Sequence, residues 1–337
     1  MSLLRFSIIA IVAAGTLFLN SCQRRRQSTE GTLAATLRLK WVYDPGFAGE
    51  MVAAKAGYFR DAGLDVTLKP GGFESDPIKL VASGSDTFGV AGADSFLLGR
   101  AKGVPIVAFA AGYIETPVVF YVHANSSIYS PIDFPGKRVG YQAGQDTATV
   151  YEALIRKLHV DRRSIREVPV RYDFTPFLTN QVDVWPGYAA TQSYILEQQH
   201  IPYRILTPSE YGISYLGTVY FSSERFIAEH PTAVQAFVNG LIRGWEFTYA
   251  NYTAAVPMIT SYDPQNLTPE LVRFNLDKQK ASVLPPGGRF CSFTDSAWSN
   301  LQDTLLTEGL LSAPVDLSKA RTNRFLENHY GSEFPTQ

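Results

Sequence analysis

The chain has two cysteines, Cys22 and Cys291, among 337 residues, so no disulfide framework supports it, and a modified Cys22 leaves no intramolecular pairing at all. Stability must come from a buried core, and the length suffices for two lobes. Charge of one sign is also missing: 30 Lys plus Arg meet 31 Asp plus Glu, a formal net charge of −1. That balance offers no electrostatic footprint for nucleic acid. The five histidines (His123, His159, His200, His230, His329) are scattered, with no histidine partner three or four residues away and no adjacent cysteine, a pattern that argues against zinc. Neither a G-x-S-x-G elbow nor a phosphate loop ending in Lys-Ser or Lys-Thr occurs. The expectation is therefore a non-enzymatic protein without a cofactor or metal. No repeat of fixed period is present either.

The N-terminus carries an address. Arg5 precedes an uncharged apolar run over 6–19, followed by Leu19-Asn20-Ser21-Cys22. The run is shorter than the roughly 18 to 20 residues a membrane-spanning helix needs, so residues 1–21 read as a cleavable secretory signal. Leu-x-Ser-Cys resembles the bacterial lipobox, which implies lipid on Cys22, including an acyl group such as palmitate on its amino end. Two or three acyl chains anchor stably where one does not. An uncleaved anchor, or an ordinary signal with an accidental cysteine, is the alternative. Residues 22–35 read as a polar tether, and Arg24-Arg25-Arg26 either meets anionic headgroups or is solvated linker. The expected location is the extracytoplasmic face of the cell membrane, periplasmic or outer.

Beyond the tether, strand-like and helix-like segments alternate, the mark of an α/β fold with mostly parallel sheets. Strands are expected at 37–42, 64–70, 87–90, 106–113, 118–123, 137–141, 166–170, 182–185 and 216–222. Helices are expected at 48–62, 76–83, 95–102, 147–158, 174–180 and 190–199, then at 224–249, 252–260, 269–282 and 294–308. One α/β block, a second, and a returning helical segment predict two Rossmann-like lobes: 36–123 with 222–337, and 124–221. Crossovers near 122–126 and 216–222 would serve as hinges, with a ligand cleft between the lobes.

Several segments carry a resemblance: WVYDPGFAGEMVAAKAGYF (41–59), GLDVTLKPGG (63–72), DPIKLVASGSDTFGVAGAD (76–94), AKGVPIVAFAA (101–111) and VDVWPGY (182–188). They are similar to the solute-binding proteins of the alkanesulfonate, nitrate and thiamine-pyrimidine group. The Gly-Gly loop, VAGAD turn and VDVWPGY run look most like binders of riboflavin and of thiamine's pyrimidine precursors. The resemblance implies a type II periplasmic-binding-protein fold, hinge closure around a ligand, and an ABC permease with its ATPase as partners. The binding protein itself is expected to act as a monomer. The wider group also contains pyrimidine synthases, which carry a cysteine-rich stretch that this chain lacks.

In open α/β sheets, ligands meet the C-terminal ends of parallel strands and the helix starts that follow. That rule selects Trp41, Tyr43, Asp44 and Phe47 after the first strand, and Gly71, Gly72 and Asp76 after the second. Gly92, Ala93 and Asp94 follow the third, and Tyr113 and Thr116 the fourth. The second lobe adds Gln142, Gly144, Asp146, Thr147, Tyr172, Asp173, Trp185 and Tyr188. This set has many rings and several acids but no Lys, Arg or His, whereas an anion would normally be met by a cation or by bare helix-start N–H groups. It suits a flat, uncharged heterocycle, with rings on its faces and Asp, Gln and Thr on its edge.

Each residue also has a plainer reading. Trp41 and Trp185 serve equally as core, the tyrosines belong to a chain with 18 of them, and Asp94 serves as N-cap of a helix starting at Ser95. Gly71-Gly72 admits a ligand or supplies a turn. The Gln142–Thr147 stretch either grips a polar tail such as a ribityl chain or simply starts a helix. Riboflavin or a related flavin is the first expectation, a thiamine-type aminopyrimidine the second, and a sulfonate or nitrate the alternative.

Overall fold

The computed structural model describes residues 32–284, 287–331 and 334. The expected signal, Cys22 and the expected tether up to residue 31 lie outside the described residues, and the last residues of that tether, 33–35, are instead the start of a strand.

Ten strands form two five-stranded sheets. The strands are β1 (Leu33–Arg38), β2 (Leu64–Lys69), β3 (Phe88–Gly92), β4 (Ile106–Ala111), β5 (Val118–His123), β6 (Arg138–Tyr141), β7 (Arg166–Pro169), β8 (Val184–Tyr188), β9 (Tyr203–Leu206) and β10 (Thr218–Ser223). The first sheet runs β2-β1-β3-β10-β4 and the second β7-β6-β8-β5-β9. The two orders are equivalent. In each, four strands join through helical crossovers, and one strand inserts antiparallel before the last: β10 in the first sheet and β5 in the second. The sheets are thus mixed, with four strands of each running one way and one against them.

This arrangement corrects the expected lobe boundaries. β5, expected to end the first lobe, pairs with β8 and β9, so the first crossover spans 112–117, before β5. The second spans 207–217, before β10. Both inserted strands are buried at every residue but the last, and burial on both faces does not say in which sheet a strand lies. β9 was not expected, because Tyr203–Leu206 is short and only its last residue is buried.

Local chemistry sets the helix limits. The helix expected over 48–62 is two, Ala48–Lys55 and Tyr58–Asp61, because Gly57 sits at φ 82 between them. The one expected over 224–249 breaks at His230, where Pro231 starts a new helix, Pro231–Ala250. That helix packs on Ala48–Lys55 at close range. A Cβ on Gly244 would lie 2.1 Å from the Gly49 carbonyl oxygen, and one on Gly49 would fall within 2.4 Å of Trp245. Small residues therefore set the helix separation. Stacked rings fill the layer between this helix and the first sheet, with Phe88 and Phe237 centroids 4.2 Å apart and Phe59 and Phe237 5.2 Å apart. In the second sheet, Phe174, Phe177 and Trp185 form a smaller cluster.

Both sheets end their parallel strands toward one another. The cleft lies between them.

Candidate functional site

β1 ends at Arg38, and the chain then turns through Lys40, Trp41 and Asp44 into the short turn Pro45–Phe47. Asp44 caps that turn, its Oδ1 accepting from the Gly46 N–H at 2.8 Å. Its Oδ2 accepts from the Thr191 hydroxyl of the second lobe at 3.1 Å. Burial pushes the Asp44 carboxyl upward, against the Gly46 N–H and the Thr191 hydroxyl. Gln279, from the returning helix Pro269–Val283, pins the same corner: its amide donates to the Pro45 carbonyl at 2.9 Å and accepts from the Tyr113 hydroxyl at 2.7 Å.

The opposite wall comes from the helix start at Asp146 and the end of β8. The Tyr188 hydroxyl donates to Asp146 Oδ2 at 2.5 Å, and the Lys40 ammonium donates to the same oxygen at 2.7 Å. The pair Lys40–Asp146 is nearly dry, with side-chain exposures of 10% and 6%. Thr147 donates to Gln142 Oε1 at 2.8 Å, which fixes that amide's orientation. Together these walls enclose empty space of ≈ 680 Å³, open mouth included. Trp41, Phe47, Tyr113 and Tyr188 give the cleft its rings.

Asp94 lies beneath this surface. It is fully buried, and neither carboxyl oxygen has a hydrogen-bond partner among the described residues. Burial, then the Asp146 carboxylate, push it to about 6, opposed by the Thr149 hydroxyl, the Ser95 N–H and Lys40, which act from beyond hydrogen-bonding geometry. The helix there begins at Ala93 rather than Ser95, so Asp94 sits in its first turn and is not its N-cap.

At the mouth, the lobes meet through rings. Tyr172 stands 4.8 Å from Trp41 and 5.1 Å from Phe73, centroid to centroid, and Trp41 is 5.3 Å from Phe73. The Tyr172 hydroxyl accepts from the Phe73 N–H at 3.0 Å and donates to Glu74 at 3.1 Å. Arg171 pairs with the same carboxylate at 2.8 Å. Gly72, at φ 133, passes directly under Tyr172, where a Cβ would lie 2.2 Å from its hydroxyl.

Of the residues singled out from sequence, the structure brings Trp41, Asp44, Phe47, Tyr113, Gln142, Asp146, Thr147 and Tyr188 onto one cleft. Gly72, Asp76, Gly92 and Gly144 line a neighbouring hollow, with Asp76 also capping the helix Pro77–Ala82. Others it places elsewhere. Tyr43 turns away, donating to the Leu68 carbonyl and packing on Tyr262. Gly71 is a close-packing position, where a Cβ would lie 2.0 Å from the Leu39 carbonyl oxygen. Thr116 belongs to the crossover, accepting from the Val118 N–H. Asp173 caps the turn at Thr175. Trp185 is core of the second lobe, against Phe174, because alternation along β8 sends its ring to the face opposite Tyr188's neighbours.

Lys40 is the residue that sequence reasoning missed. The first strand was expected to run to residue 42, which placed Lys40 inside it; the strand stops at Arg38. A strand end two or three residues earlier would have put Lys40 among the crevice residues by the same rule. Gln145, Thr191 and Gln192 also line the cleft.

Comparison with known proteins agrees with this architecture. The chain is 27% identical over 306 residues to riboflavin-binding protein RibY of Chloroflexus aurantiacus, covering 86% of this chain and 85% of that one. It is 25% identical over 319 residues to the formylaminopyrimidine-binding protein of Halalkalibacterium halodurans, covering 92% and 96%. It is also 25% identical to the 4-amino-5-hydroxymethyl-2-methylpyrimidine phosphate synthase of Legionella pneumophila, covering 86% and 92%. The periplasmic aliphatic sulphonate binding protein SsuA from Escherichia coli shares the fold, with a TM-score of 0.67 at 16% identity over 87% of this chain and 92% of that one. The fold is the α/β periplasmic-binding-protein fold. With a family profile matched over residues 44–255, the chain belongs to the NMT1/THI5 like family.

Proposed function

We propose that the protein is the extracytoplasmic solute-binding lipoprotein of an ABC importer, and that its cleft captures riboflavin or a related flavin. The observation that carries this reading is the charge and ring content of the cleft. Four aromatic side chains line it, and its cation, Lys40, is already committed to Asp146 and Tyr188. Two more carboxylates, Asp44 and Asp94, stand on or beneath the same walls. An anion entering there meets acids and must displace a buried ion pair to reach Lys40. A flat ring system with donors and acceptors on one edge meets rings on its faces and Asp146, Gln142 and Thr147 on its edge.

The sulfonate or nitrate reading gains Lys40 but loses it again to Asp146. A thiamine-type aminopyrimidine is the second reading, because its amino group would find the Asp146 or Asp44 carboxylate as acceptor. Capture rather than turnover is part of the proposal, and Cys291, the one cysteine among the described residues, is buried away from the cleft. Fluorescence titration tests the proposal. Riboflavin emission is expected to be quenched at micromolar protein, with no displacement by nitrate or an alkanesulfonate. Absence of quenching, or efficient displacement by the small anions, would overturn it.

A further inference from the structure

We propose that the hollow beside the aromatic cleft is a second compartment of the same site, built for a neutral polyhydroxyl chain, so that ring and tail are recognised separately. This rests on the flavin reading above.

The hollow contains ≈ 700 Å³ of empty space, open mouth included, and is bounded by Gly72, Asp76, Ser95, Gly144 and Gln145. Lys40, Gln145 and Asp146 line both this hollow and the aromatic cleft, so the two are continuous across the ion pair. The hollow's floor is Gly92, where a Cβ would lie 2.4 Å from Asp94 Oδ1 and 3.1 Å from Asp146 Cβ. Only glycine fits there, with the Asp94 carboxylate packed against it.

The lining differs in kind from that of the cleft. One ring, Phe73, reaches it, and the rest is two carboxylates matched by two lysines, a hydroxyl, an amide and glycine backbone, together with small aliphatic groups. Each hydroxyl of a polyol both donates and accepts, which matches a wall holding the carboxylates of Asp76 and Asp146 beside the ammonium of Lys40. A phosphate would match poorly. It would face both carboxylates, while Lys40 is held by Asp146 and Lys79 lies 3.6 Å from Asp76 with its side chain 84% exposed.

Three probes separate the possibilities in titrations of the intact protein: riboflavin, lumichrome, which is the ring system without the chain, and riboflavin 5′-phosphate. The expected result is riboflavin bound about tenfold or more tightly than lumichrome, the loss of two or so hydrogen bonds, and the 5′-phosphate bound more weakly than riboflavin. Ser95→Leu, which fills the hollow without touching the aromatic cleft, is expected to weaken riboflavin about tenfold and leave lumichrome unchanged. Equal binding of riboflavin and lumichrome overturns the second compartment while leaving the flavin reading intact. Tighter binding of the 5′-phosphate overturns its neutral polyol character. Failure of all three to bind overturns the flavin reading and this inference with it. Should Ser95→Leu not fold, the three-probe comparison on the unaltered protein decides alone.

Discussion

The Lys40 ammonium lies 2.7 Å from Asp146 Oδ2, joining the end of β1 in one lobe to a helix start in the other. Both side chains are nearly dry, and a buried pair that loses one member leaves the other charge uncompensated, a cost of about 3–5 kcal/mol in typical cases. A two-lobed protein has a cheaper escape than unfolding, which is to open and hydrate Asp146. Lys40→Met is therefore expected to raise the radius of gyration in solution scattering. Lys40→Met with Asp146→Asn should return most of it, as coupled neighbours do in a double-mutant cycle. An unchanged radius in the single variant would count against the pair as a closing contact.

The mouth contacts separate ring packing from charge. Arg171–Glu74 is exposed on both sides, at 67% and 65%, and such pairs contribute roughly 0–1 kcal/mol. Tyr172 makes two ring contacts, each worth about 0.5–1.5 kcal/mol. Arg171→Ala is expected to change the ligand release rate less than about threefold, whereas Tyr172→Ala should speed release about tenfold or more. Stopped-flow displacement measures both; equal effects would refute the ranking.

Two tryptophans that the sequence alone could not tell apart now have opposite expectations. Trp41→Leu should weaken flavin binding with little effect on unfolding, because Trp41 faces the cleft and the mouth. Trp185→Leu should leave binding unchanged and cost about 2–4 kcal/mol in chemical denaturation, because its ring is core of the second lobe. Reversal of the pattern would mean the β8 register is wrong.

Stability should depend on pH through Glu50. This carboxyl is fully buried, with Oε1 accepting from the Tyr220 hydroxyl at 2.7 Å and Oε2 without a partner among the described residues. Burial, against the Tyr220 hydroxyl and its own backbone N–H, lifts it from 4.5 to about 7. A raised carboxyl favours the folded state fully at pH below its unfolded value and loses that advantage as pH climbs through the folded one. Tm is thus expected to fall between pH 4.5 and pH 8, by an amount corresponding to about 3 kcal/mol at most. Glu50→Gln should flatten the dependence. Asp94, lifted to about 6, contributes with the same sign, so some slope should remain in that variant. A Tm that rises over the interval would contradict both assignments.

Cys22→Ser is expected to release the protein from membranes while leaving ligand affinity as it was, since the cleft is complete within residues 40–218. Fractionation and titration of the variant check the two halves of that statement. A loss of affinity would give the cysteine a role beyond anchoring.

Much of the architecture was legible because alternating period and turn residues survive in the sequence: Gly63 does follow the helix Tyr58–Asp61, and Asp76 does start the next helix. Sheet membership was not. β5 and β10 are buried at all but their last residue, and nothing in such a strand states which sheet buries it. At the site, the rule that selects strand ends found Asp146 and Tyr188, 42 positions apart in the chain, yet it failed at Lys40 because one strand end was misplaced. Side-chain direction was the other blind spot. Tyr43 and Trp185 occupy the expected stretch but point away from the cleft, which alternation and local hydrogen bonds decide and residue type does not.

The return of β10 to the first sheet bears on the order in which the chain can acquire structure. β10 sits between β3 and β4, so every earlier strand of the first sheet must wait for residues 218–223 before that gap is filled. A ribosome or a translocation channel that has delivered only the first half of the chain has delivered no finished lobe. Completion of the first lobe is thereby postponed until about two-thirds of the polypeptide has emerged, and the long-range pairing predicts a slow final step.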